Sequence, residues 1–188
     1  MGAKVQFSVQ LVHYFLERQL VSAKKWETWY KIQGRVMRFS MKEFALVIGM
    51  NCNDVERSDD NRDKQAIRDV FGVDKMTVGD LLVRYNVAKM SETNPMKRFK
   101  LALLVLIEDV LLGGDKKRKV RGWVVRLLQD VDDFLNYPWG RIVYEATHGS
   151  LIGAIENRIA LGVKGDHERN NYNLHGFPLA FQVRSFKQ

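Results

Sequence analysis

The sequence predicts a mainly α fold: a single helical domain spanning residues 1–188, with about seven helices and one small β-hairpin near the N-terminus. Three observations carry this. Apolar residues recur at helical spacing through most of the chain. Two capping boxes, Ser40-x-x-Glu43 and Thr77-x-x-Asp80, stand directly before such runs. Only residues 27–39 alternate with a period of two, on either side of Gln33-Gly34.

Val9, Val12, Phe15 and Leu16 give the first helix its apolar face, and Ser8 is placed as its N-cap. Trp29 and Tyr30 favour a strand, Gln33-Gly34 a turn, and Arg35 to Phe39 a returning strand, which makes a hairpin over about residues 27–39. The helix opened by Ser40 has Phe44, Ala45, Val47 and Ile48 on its apolar side. Gly49 is placed to end it in the left-handed conformation. Residues 51–62 are crowded with Asn and Asp and read as a loop; a short helix over residues 64–71 is closed by Gly72.

The Thr77 box leads a helix through Leu81, Leu82, Tyr85, Val87 and Ala88. Pro95 starts the most hydrophobic helix, residues 96–112, apolar almost all round from Leu101 to Ile107 and so expected at the centre of the core. A basic loop follows over about residues 113–121, then an apolar stretch to Leu128 and a short acidic helix carrying Asp130, Asp132 and Asp133. Tyr137-Pro138-Trp139-Gly140 is a corner, because Pro138 fixes its own φ and disfavours the helical region for Tyr137. Its two large aromatics call for burial. A long helix over about residues 138–161 comes next, with Ile142, Val143, Ala146, Leu151, Ile155 and Ile159 on one face. Residues 162–173 form a polar loop, and the apolar tail from Leu174 to Val183 docks on the core. No repeat of solenoid length is present.

The chain carries a formal net charge of +8 and 46% hydrophobic residues, so a folded protein is expected whose basic surface serves either an acidic partner or solubility alone. The start lacks a signal-peptide pattern, and Gln6 stands where a myristoylation motif needs Ser or Thr. The apolar run at 101–107 is too short to cross a bilayer, so a soluble protein with no membrane partner is expected. Cys52 is the single cysteine, which rules out an internal disulfide framework and fits a reducing compartment, nucleus or cytoplasm.

Groups that could perform chemistry are sparse. Cys52 is the one thiol, and its spacing from His13, His148, His167 and His175 singles out no pair. It follows a helix end, whereas activation favours a helix start. The histidines lack metal-binding spacing, and Asp166-His167-Glu168 sits in a polar loop where neighbouring side chains point apart. Asp130 and Asp133 share one helical face, as expected of a solvated face at a helix N-terminus. Gly113-Gly114-Asp115-Lys116-Lys117 lacks the phosphate-loop spacing. No catalytic residue, metal or cofactor is expected. The basic residues Lys116, Lys117, Arg118, Lys119 and Arg121, with Lys97, Arg98 and Lys100 upstream, are the candidate contacts for nucleic acid or an acidic partner. No helix combines them with the small polar residues that read base edges.

Linked blocks then carry a family resemblance. These are Trp29-Tyr30-Lys31-Ile32-x-Gly34, Arg38-Phe39-Ser40-x-x-Glu43-Phe44-Ala45 with Gly49, Asn51 and Cys52, and Leu101-Ala102-Leu103-Leu104 with Glu108. Phe134-Leu135-x-Tyr137-Pro138-Trp139-Gly140-Arg141 and Leu174-x-Gly176-Phe177-Pro178-Leu179-Ala180 complete the set. Together they resemble a plant domain of unknown function found N-terminal to Ulp-type SUMO-protease domains in transposon-derived plant genes. They are more distantly similar to the plant mobile domain. The resemblance implies a nuclear, helical, non-catalytic module in which Trp29, Phe39, Phe44, Tyr137, Trp139 and Phe177 are core. The protease's own catalytic motifs are absent from this sequence. The expectation is therefore a protein-interaction or targeting module with a protein partner; the alternative is a basic nucleic-acid-binding domain without base-specific readout.

Overall fold

The computed structural model describes residues 8–22, 24–54, 62–113, 115–163 and 174–186. In chain order they form α1 (Val9–Leu16), β1 (Gln19–Leu20), β2 (Glu27–Ile32), β3 (Arg35–Ser40), α2 (Met41–Ile48) and α3 (Arg62–Phe71). Then come α4 (Val78–Ser91), α5 (Pro95–Val105), a π-helical segment (Leu106–Leu111), α6 (Gly122–Leu127), α7 (Val131–Asn136), α8 (Trp139–Val163) and α9 (Pro178–Phe186). The fold is mainly α with a small antiparallel sheet near the N-terminus. The chain divides into two compact units: Met1–Asn53 with Pro138–Gln188, and Asp54–Tyr137. Of the two polar loops expected, residues 55–61 and 164–173 lie outside the described residues, as do the Asp166-His167-Glu168 cluster and the side chains of Ile155, Ile159 and Val183.

In the first unit the hairpin closes at Gln33 and Gly34, whose φ values of 48° and 80° are both positive. That is the primed turn whose twist matches paired strands. The register runs from Glu27 opposite Ser40 to Ile32 opposite Arg35. Thr28, Tyr30, Met37 and Phe39 point inward and are buried. Trp29, expected in the core, is on the opposite face of the strand and is only half-buried, with the Arg38 guanidinium 5.8 Å over its ring. A third strand, β1, pairs through Gln19 with Tyr30 and Leu20 with Trp29; two residues are too few to show alternation.

The unit's core is aromatic. Phe181 of α9 lies 5.0 Å from Phe39 and 5.1 Å from Tyr30, while Tyr144 of α8 lies 5.4 Å from Phe44. The tail therefore docks as expected, although Phe177 is half-buried where full burial was expected. Its amide donates to Thr147 Oγ1 at 2.7 Å, so it is held by its backbone. The box at the start of α2 forms, with Glu43 accepting from the Ser40 amide at 2.9 Å and from its hydroxyl, and Gly49 ends the helix at φ 67°. Trp139 is buried, and the Gly140 amide donates to Asn51 O at 2.9 Å. A Cβ at Gly140 would lie 2.5 Å from Cys52 Sγ, so glycine there is what permits the close approach.

In the second unit, α3 and α6 meet at Gly122, where a Cβ would fall 2.2 Å from Asp63 O. Arg126 Nε donates to Asp63 Oδ1 at 3.0 Å across the same crossing. Thr77 and Asp80 cap α4 reciprocally, and Asn94 with Pro95 opens α5. The helix expected over residues 96–112 widens into π geometry at Leu106, with the Leu112 amide bonded to Ile107 O at 2.9 Å. Burial there is one-sided: Leu103, Leu104, Ile107, Glu108 and Leu111 are inside, while Leu106 and Val110 are nearly half exposed. In the acidic helix α7, Phe134 is buried but Leu135 faces out, and Asp130 Oδ1 caps the amides of Asp132 and Asp133. Tyr137 ends this unit in extended backbone, half-buried rather than core, its ring 5.7 Å from Trp123.

Candidate protein-binding groove

Helix α4 has more apolar residues than one buried stripe can use. Leu81 and Ala88 face inward, whereas Val83 and Val87, one turn apart, are 64% and 59% exposed. Val70 near the end of α3 is 51% exposed. These valines wall a groove of about 610 Å³ in the second unit, between α3, α4, α5 and α6. Its floor is Leu104, Val125, Leu128 and Ala88, all buried. A groove of this size with apolar walls left in water is a feature that single scattered surface valines do not produce.

The rim is basic. Arg84, Lys97 and Lys100 line it against one carboxylate, Glu92. The Arg84 guanidinium sits 5.8 Å from the Phe71 ring, and Lys100 Nζ donates to Gln129 O at 3.0 Å. Glu92 Oε1 already accepts the Asn94 amide at 3.0 Å, so its charge is partly committed to the loop before α5.

The remaining basic candidates fall elsewhere. Arg98 is exposed at the start of α5 and does not line the groove. Within the basic loop, Arg118 and Arg121 turn back onto Glu108, which is fully buried. Glu108 Oε2 accepts from Arg118 Nη1 at 2.6 Å and Arg121 Nη1 at 2.9 Å, and Oε1 accepts the Arg121 amide at 3.0 Å. Backbone bonds then stitch this loop to the start of α4: Val78 to Arg118 O, Gly79 to Lys116 O, and Val120 to Met76 O. Lys116, Lys117 and Lys119 are left exposed. The candidate bases thus fall at two places in the second unit. Lys97 and Lys100 lie near the C-terminal end of α4, and the three loop lysines lie near its N-terminal end. In the sequence Glu108 figures only within a family block, with no role of its own; its signal was the acidic pair Glu108-Asp109 inside an apolar run, followed by a basic cluster.

Of the described groups weighed for chemistry, Cys52 and His148 are held in packing. Cys52 is half-buried with its thiol toward Met50 O at 3.4 Å, and burial pushes its pKa up against the opposing pull of Arg141. That is the reverse of nucleophile activation. His148 is buried between Trp26 and Tyr144, with ring centroids 5.8 and 5.5 Å away. His175 uses its carbonyl, which accepts Ser150 Oγ at 2.9 Å. Among the described residues no three His, Cys, Asp or Glu side chains are grouped to hold a metal, and no helix is long and apolar enough to cross a membrane.

A family model described as a domain of unknown function, DUF1985, matches residues 16–150. The chain belongs to the DUF1985 family. The matched span contains the hairpin, the groove and the Glu108 anchor, so all three lie within the part of the chain that defines DUF1985 membership. Neither the curated proteins nor the solved structures provide a match.

Proposed function

We propose that this chain is a non-catalytic protein-interaction module that acts through the groove of its second unit, in a nuclear, transposon-derived plant protein. The observation that carries the reading is the pair Val83 and Val87, exposed above an apolar floor and ringed by Arg84, Lys97 and Lys100. Apolar centre and charged rim are the anatomy of a protein-binding patch. The setting rests on the linked sequence blocks and on the reducing compartment that a lone Cys52 fits. The test is comparative capture from plant nuclear extract with the full chain and with its Val83→Asp/Val87→Asp variant. A partner held by the former and lost by the latter supports the reading; identical capture by both refutes it.

A second reading, binding of nucleic acid without base-specific readout, is favoured by exposed Lys116, Lys117 and Lys119. Three phosphate contacts give a slope of log affinity against log salt of about −3. Anisotropy of a labelled duplex measures it; binding that ignores salt, or survives charge reversal of the three lysines, discards this reading.

A further inference from the structure

We infer that the groove takes a single amphipathic α-helix with apolar anchors at i, i+4 and i+7 flanked by carboxylates, an inference that rests on the interaction reading above. Length is the first argument. Along α4 the groove runs from Val83 to Glu92. At a helical rise of 1.5 Å per residue that is about 13 Å, and anchors spaced i to i+7 span about 10.5 Å. Two to three turns of a partner helix fill it.

Hydrogen bonding is the second argument. Apart from Glu92, Leu128 and Gln129, every residue lining the groove is helical, and no strand edge lies along it. The mid-helix backbone of α4 and α5 along the groove is bonded within its own helix, the Lys97 amide is taken by Asn94 Oδ1 and the Gln129 carbonyl by Lys100 Nζ. An extended segment laid on the apolar floor would leave its own N–H and C=O groups unpaired, at a cost in desolvation. A helix bonds its backbone internally and presents only side chains, which is the helix-in-groove mode. Val83 and Val87, one turn apart, form a ridge beside which the side chains of a partner helix can interdigitate, above Leu104 and Val125.

Charge selects the sequence of that helix. Three cations face one carboxylate around the groove, and Glu92 is already bonded to the Asn94 amide. Acidic residues beside the anchors meet Arg84, Lys97 and Lys100, whereas basic ones are repelled.

The experiment is selection of a displayed library of random peptides, long enough for four helical turns, against the 188-residue chain at physiological salt. Enriched peptides are then measured against three proteins: wild type, Val83→Asp/Val87→Asp and Lys97→Glu/Lys100→Glu. Both variants change exposed or rim side chains, and thermal melts by circular dichroism verify that each is folded. The expected result is a set of acidic peptides with i, i+4, i+7 apolar spacing that gain helicity on binding. They bind the valine variant at least about tenfold more weakly and the lysine variant severalfold more weakly. If the enriched peptides depend on Val83 and Val87 but are extended, proline-rich or basic, the helix assignment is overturned and the interaction reading stands. If no peptide depends on Val83 and Val87, the interaction reading fails and the helix assignment with it.

Discussion

Replacing Glu108 by Gln keeps the shape of a fully buried side chain and removes its charge. The carboxylate accepts three bonds, from Arg118 Nη1, Arg121 Nη1 and the Arg121 amide, at 2.6, 2.9 and 3.0 Å. A glutamine retains one acceptor oxygen and turns an NH2 toward a guanidinium, so one or two of the three are lost. Each bond to a charged group contributes roughly 1.5–3 kcal/mol, and breaking a buried pair costs about 3–5 kcal/mol. The arginine side chains are 24% and 31% exposed, so water can recover part of their solvation. The expected loss is therefore at the low end, about 2–3 kcal/mol. Native-state amide exchange reads it where the loop is stitched to α4, at the amides of Val78, Gly79 and Val120. Their exchange free energies should fall by that amount, while Lys116→Ala, at an exposed side chain, changes them by less than about 0.5 kcal/mol. A change of less than about 0.5 kcal/mol on Glu108→Gln would refute the view that this carboxylate holds the basic loop.

Gly122→Ala should destabilise the second unit by about 1–3 kcal/mol, because the new methyl meets the Asp63 backbone and α3 and α6 must part; a urea midpoint at the wild-type value would contradict this. Ser40→Ala removes the cap of α2 and one partner of Glu43, costing about 1 kcal/mol, again read from the urea midpoint. Burial holds the His148 imidazole below its ordinary pKa. Its contribution to stability is then complete above the unfolded value near 6.5 and is lost as the pH falls below it. Melting temperature should accordingly drop from about pH 7 to pH 5 in the wild type and drop less in His148→Phe; equal slopes would count against a buried neutral His148.

Local signals were the readable part of this fold. Gln33-Gly34 states a turn, and the Ser40 and Thr77 boxes state two helix starts, because each is decided by residues within four positions. What long-range contacts decide was harder to read. Alternation in β2 separates Trp29 from Tyr30 but leaves open which face meets α9, and Tyr30 is the one inside. A period of 3.6 describes residues 96–105 and then fails, since the π-helical turn at Leu106 shifts which residues face the core. Charge counting placed Arg118 and Arg121 with the lysines, yet a buried acid ten to thirteen residues upstream claims both. The groove had a signal in the surplus of apolar residues on α4, but only the packing of α3, α5 and α6 around it shows that Val83 and Val87 stay uncovered.

Amide chemical-shift mapping of the isotope-labelled chain, titrated with the partner that capture identifies, addresses the groove most directly. Shifts concentrated on Val70, Val83, Val87, Lys97 and Leu101 are the expected result. Shifts confined to Lys116, Lys117 and Lys119, or to the aromatic unit around Phe39 and Phe181, would contradict it.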